Sequence, residues 1–247
     1  MEFKSKKTVK GDIKRKERKI YLSSAAQAVI NSYLKMKIGN KIIACPYFIN
    51  RQGAKAALRV FLGKASSQEI KEEIEMIAQQ KGIDLNQMNE KEIYQFLKSK
   101  RLGIDCSGLV VHILKAEYEE VKKIKILRRI YITSFWKNPW RYFISRFRPI
   151  ENISVRVLAH PRNSQIIKNP AEIQAGDLII YQNLKHILLI EEIKLNSDKT
   201  IEKIKIIHAQ RVNPQEEGAR VKRINYSFSE LKNKIEQGEI IIRRLKF

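Results

Sequence analysis

Ile104-Asp105-Cys106-Ser107-Gly108-Leu109-Val110 is the stretch on which the fold turns. A loop-like Arg101-Leu102-Gly103 precedes it and the apolar run Leu109-Val110-Val111 carries on from it, so Cys106 falls in the first turn of a helix. Unpaired backbone N–H groups and the positive end of the helix dipole stabilise a thiolate there, and the thiolate is the nucleophilic form. Free cysteine is also among the most buried residue types, so Cys106 alone is only a candidate. Its partners decide.

The chain has four histidines. His112 lies six residues past Cys106, about 240° round the same helix and turned away from it. His160 precedes Pro161 in a loop. His186 opens the run His186-Ile187-Leu188-Leu189-Ile190, just after a tight connection from Asp177-Leu178-Ile179-Ile180-Tyr181. A hairpin of that kind holds an imidazole at a sheet edge, as a general base requires. His208 ends the next apolar run, and antiparallel pairing would set it beside His186. The chemistry expected is an activated thiol: His186 takes the proton from Cys106, and His208 orients the ring. Each histidine taken singly also fits a structural role.

Outward from these residues the chain reads as α+β, with helices first and a meandering antiparallel sheet afterwards. The first 20 residues form a basic arm. Ser23 or Ser24 caps a helix through Ala25, Ile30 and Leu34, with Gly39 as its stop. Lys41 to Asn50 is extended and contains Pro46. Residues 51–100 read as a helical insertion: Ala54 to Leu62 ended by Gly63, a helix capped at Ser66 or Ser67, and a third from Asn89 to Gly103. Strands are expected at Val155–Leu158, Asp177–Tyr181, His186–Ile193, Ile201–Ala209 and Ile240–Leu245, with a helix capped by Ser229 before the last.

The 247 residues carry a formal net charge of +23, which implies attraction to a polyanion such as nucleic acid, anionic membrane or a cell-wall polymer. Heavy Lys and Ile usage throughout offers a blander origin for the same number. Residues 65–100 depart from it, with seven acids against five lysines. From Val121 to Ile150 there are nine Lys/Arg and no acid, interleaved with Phe135, Trp136, Trp140, Tyr142, Phe143 and Phe147. Aromatics packed on the core with the basic residues facing water is one reading of this second insertion, residues 121–150. A membrane interface or a polyanion track is the other. The polar N-terminus and the want of any long apolar run lead to an expectation of a cytoplasmic chain, or one released to the wall without a signal peptide. Two cysteines are too few for a disulfide framework, and no Cys/His spacing suggests zinc.

Three blocks in order resemble the NlpC/p60 cysteine peptidases, papain-like enzymes that cleave peptidoglycan stem peptides. They are Ile104 to Val110, then Gln174 to Tyr181 with His186 to Ile190, then Ile206-Ile207-His208-Ala209. Upstream, Cys45-Pro46-Tyr47 is similar to the family's "PY". The resemblance implies a papain-like core with N-terminal helices and a central antiparallel sheet, Cys106 as nucleophile, His186 as base and His208 as orienter. It further implies that Tyr47, Asp105 and Ser107 bind the free amine of the stem peptide. No cofactor or metal is implied. The sequence departs from the family in the 59-residue separation of Tyr47 from Cys106, in Leu188 where a glycine is common, and in Phe48-Ile49-Asn50 after the tyrosine. Other amide chemistry by the same triad (amidase, deamidase, acyltransferase) is a second expectation, and a non-catalytic basic polyanion-binding protein a third. Specific nucleic-acid recognition and an oligomeric state are not predicted. Cys45 is either a buried cysteine or a redox partner of Cys106.

Overall fold

The structure is a computed structural model that describes residues 18–48, 58–133, 136, 138–210 and 219–247. Arg18–Tyr21 (β1) opens it, so residues 18–20, assigned above to the basic arm, belong to a strand. Ser24–Leu34 (α1) starts where the Ser23 side chain accepts the Ala26 N–H, a cap of about 1 kcal/mol. The helix ends at Leu34 and not at Gly39. Gly39, at φ +56°, instead turns the hairpin of Met36–Ile38 (β2) and Lys41–Ile43 (β3), a backbone conformation that suits glycine.

In the first insertion, residues 51–57 lie outside the described residues, and Arg59–Leu62 is a 3-10 turn closed by Gly63 at φ +73°. Ser67–Gln80 (α2) and Glu90–Ser99 (α3) each start in a full capping box, Ser66 with Glu69 and Asn89 with Glu92. The third helix therefore stops at Ser99, four residues short of Gly103. Cys106–Val121 (α4) is the central helix: Leu109, Val110, Val111, Ile113 and Leu114 are all fully buried. Each contributes about 1.5–3 kcal/mol of apolar burial. Two of its carboxylates cap α1, with Ser23 N–H donating to Glu117 and Ala25 N–H to Glu120, so negative charge meets the positive end of the α1 dipole.

The second insertion folds as Ile126–Arg129 (α5), Pro139–Phe147 (α6) and Pro149–Asn152 (α7). Val155–Leu158 (α8) is helical, not a strand. Ser154 accepts the Val157 N–H there, and local capping outweighs the β-branched composition. Then come Ser164–Ile166 (β4), Leu178–Tyr181 (β5), Ile187–Leu195 (β6), Ile201–Gln210 (β7), Arg220–Ser227 (β8), Phe228–Glu236 (α9) and Ile240–Leu245 (β9). The cap of α9 is Ser227 in a capping box with Glu230, two residues before the expected Ser229.

Among the described residues the main sheet has seven strands in the order β4-β9-β5-β6-β7-β8, with β1 sharing the β5 edge of β6. All its pairings are antiparallel. The α+β class is as the sequence predicts. Strand alternation splits the core in two. Leu178, Ile180, Ile187, Leu189, Ile207 and Ala209 pack with α1 and α4. Ile179, Leu188, Ile190, Ile204, Ile206 and Ile242 pack with Leu231 of α9 on the opposite face. Gly176, at φ +92°, makes the turn into β5, and the buried Asp177 is held by two charge-assisted bonds from Arg244 at 2.7 and 2.8 Å. The aspartate of the Gly176-Asp177-Leu178 block is thus a structural anchor. No described helix is long and apolar enough to cross a membrane.

Candidate active site

The helix carrying Cys106 starts where it does because Asp105 caps it. Asp105 Oδ1 accepts the Gly108 N–H at 2.5 Å and its carbonyl takes the Leu109 N–H at 3.0 Å. Two other segments press against this start. The Asp105 N–H donates to Gly63 O at 2.9 Å and the Ile104 N–H to Pro46 O at 3.0 Å. Glycines permit the approach: a Cβ on Gly108 would lie 2.6 Å from Gly63 O, and one on Gly103 2.5 Å from Pro46 O. Tyr47 bridges Ile104 in parallel register. Though 59 residues away in sequence from Cys106, it thus pairs two residues ahead of it.

Lys64 sits at the centre of this junction, and sequence reasoning missed it. Its buried ammonium donates to Asp105 Oδ1 at 3.0 Å, Ser107 Oγ at 2.6 Å and Ile153 O at 2.9 Å, and lies 2.9 Å from Asp105 Oδ2. Ser107 Oγ donates in turn to Asp105 Oδ1 at 3.0 Å. Two of the three side chains expected to bind a substrate amine, Asp105 and Ser107, hold an amine of the chain itself. One lysine between Gly63 and Ala65, in a sequence with 49 Lys/Arg, carries no signal that would single it out.

Cys106 is buried, at 6% exposure. Burial, then the Asp105 charge, push its thiol up to about 11; the backbone N–H groups of Ile187 and Ser107 and the Lys64 charge pull the other way. Desolvation therefore outweighs the helix start, and at neutral pH Cys106 is a thiol.

His186 pairs with Tyr181 at the beginning of β6, with Tyr181 N–H donating to His186 O at 3.2 Å and ring centroids 5.8 Å apart. His208 lies beside it on β7, edge-on at 6.2 Å. The expected juxtaposition of the two histidines is present. The side chain that hydrogen-bonds His186, however, is Gln210. The register explains this: Leu189 faces Ile207, so the residue opposite His186 is Gln210, and His208 is its diagonal neighbour. Counting back along the two strands would have found Gln210. Burial pushes the His186 imidazole down to about 4, so it is neutral at pH 7. Its Nε2 is buried with no hydrogen-bond partner among the described residues.

No hydrogen bond joins the Cys106 thiol to the buried Nε2 of His186 among the described residues. Ile187 and Leu189 share the core of the α4 face with Cys106, while Tyr181 and Leu188 belong to the core of the α9 face. The structure gathers Tyr47, Asp105, Ser107 and Cys106 around one helix start, and His186 with His208 at neighbouring strand ends. The Ile187 N–H on the Cys106 sulfur, one residue beyond His186, links the two groups.

The other candidates are structural. His112 Nε2 meets Lys64 O at 2.9 Å, which pins the strap over the Cys106 turn. His160 Nδ1 accepts the Arg162 N–H. Cys45 is fully buried with its thiol pushed up by burial, and both cysteines are free. Among the described residues no group of three or more His, Cys, Asp or Glu is placed to hold a metal ion. The chain matches no family model, no curated protein and no solved structure.

Proposed function

We propose that this chain is a papain-like thiol hydrolase of the NlpC/p60 type, acting on an amide or isopeptide bond of peptidoglycan stem peptides. Cys106 is the nucleophile and His186 the base. The observation that carries the reading is the Ile187 N–H on the Cys106 sulfur, which sets the base candidate one residue from the nucleophile. His186 follows directly on the turn through Leu184, at φ +53°, and ahead of the first β6–β7 register pair, Leu189 with Ile207. Catalysis on this reading brings the His186 ring onto the Cys106 sulfur at that strand end.

The chemistry then balances without a cofactor. The imidazole takes the thiol proton, and the thiolate attacks the carbonyl carbon. The Cys106 N–H at the helix start stabilises the oxyanion. The imidazolium protonates the leaving amine as the C–N bond breaks, and water, deprotonated by the same ring, releases the acid from the thioester. Mass spectrometry of products from a muropeptide panel tests the reading: the full chain is expected to release a new amine and acid, and Cys106→Ala to release neither. Undiminished cleavage by Cys106→Ala would end it.

A second reading is a non-catalytic basic protein on a papain-like scaffold. The ionisation state favours it, since a thiol near 11 and an imidazole near 4 form no ion pair at neutral pH. It predicts no product from any panel member and polyanion binding that survives loss of Cys106.

A further inference from the structure

Helix α6 turns its apolar side outward. Trp140, Phe143, Ile144 and Phe147 recur at i, i+3, i+4 and i+7 and so share one stripe about 100° wide. That stripe is exposed, at 77, 51, 39 and 84%. Trp136, in the turn just before the helix, is 90% exposed and extends it. Ser145, on the other side of α6, is buried. An amphipathic helix docked on a protein core has the reverse arrangement. Packing of these aromatics on the core, one of the two readings of the sequence, is thus set aside; Phe135 lies outside the described residues.

Cations frame the stripe. The stretch 121–150 holds nine Lys/Arg and no acid. Arg146 of α6 donates to the Arg128 carbonyl of α5 at 3.4 Å, which brings the Arg128-Arg129 pair alongside. We propose that this face docks on an anionic lipid bilayer, with the stripe lying in the interface plane and the flanking Lys and Arg on lipid phosphates. A second copy is a poor occupant, because it brings the same +23 charge and the same acid-free stretch. A convex stripe with Ile144 among its rings suits an acyl boundary better than base stacking. The proposal is independent of the hydrolase reading, since no residue is shared.

The experiment reads the surface directly, because Trp136 and Trp140 are the chain's two tryptophans. The full chain is titrated with phosphatidylcholine vesicles and with vesicles containing about 30% phosphatidylglycerol. Expected is binding to the anionic vesicles, with a blue shift of tryptophan emission and quenching by brominated acyl chains. The double variant Phe143→Ser/Phe147→Ser, exposed positions whose loss leaves the far-UV circular dichroism unchanged, is expected to weaken binding at least roughly ten-fold. Three results overturn the proposal: no binding, binding without a tryptophan shift or indifferent to the double variant (adsorption by charge alone), or an equal shift with single-stranded RNA that displaces the vesicles.

Discussion

The Lys64 ammonium lies 2.9 and 3.0 Å from the two carboxylate oxygens of Asp105, buried against the first turn of the helix that carries Cys106. This one pair ties the Gly63–Ala65 strap to the Cys106 turn and fills the place where a substrate amine was expected. Two predictions rest on it.

Lys64→Met removes the cation and leaves Asp105 and Ser107 with a lost partner. Breaking a buried pair costs about 3–5 kcal/mol, and the partial exposure of Asp105 sets the expectation near 3. Urea denaturation measures it. A loss under about 1 kcal/mol would mean that the pair contributes as little as a surface one.

Occupation by Lys64 also makes a free substrate amine dispensable. On the hydrolase reading, a stem peptide and its N-acetylated form should be cleaved with kcat/KM values within about two-fold, because Asp105 and Ser107 already hold Lys64 and acetylation removes no contact to them. A strong preference for the free amine, seen in competition between the two peptides, would show that Lys64 yields its place to substrate.

His186 makes stability depend on pH in a defined window. Its folded pKa of about 4 lies below the unfolded value near 6.5, so below pH 6.5 the unfolded chain binds the proton more readily. Stability is full above 6.5 and is lost as pH falls to 4, by about 3 kcal/mol in all. Chemical denaturation at pH 7 and pH 4 should show this loss, and His186→Phe should remove that share of it. An unchanged pH slope in the variant would place the titrating group elsewhere.

Gly103 and Gly108 predict steric sensitivity. Either alanine would meet a backbone carbonyl, Pro46 O at 2.5 Å or Gly63 O at 2.6 Å, which cannot swing aside as a side chain would. Each substitution is expected to cost about 1–3 kcal/mol. Thermal unfolding of the two variants checks it, and a neutral result at both would mean the three segments are not closely packed.

Much of this architecture is legible in the residues. The Ser66–Glu69 and Asn89–Glu92 boxes announce their helices, and the apolar runs at 178–181, 187–195, 201–210 and 240–245 announce their strands. β8 escaped because Arg220–Ser227 alternates with charged residues on a strand that is half exposed. Val155–Leu158 misled because Val155, Val157 and Leu158 fit a short strand until Ser154 caps them as a helix. At the site, Tyr47 pairs with Ile104, two residues before Cys106, and the His186 and His208 rings meet edge-on. Lys64 carried no signal, because one lysine among 49 Lys/Arg stands out only once the fold buries it against Asp105 and Ser107.

The most direct test of the central claim is intact-mass spectrometry of the full chain quenched in acid during incubation with a stem-peptide substrate. The account predicts an acyl adduct mapping to Cys106 in the native chain, at least roughly hundred-fold less in His186→Gln, and none in Cys106→Ala. Hydrolysis that proceeds in Cys106→Ala, or an adduct that forms equally fast in His186→Gln, would contradict it.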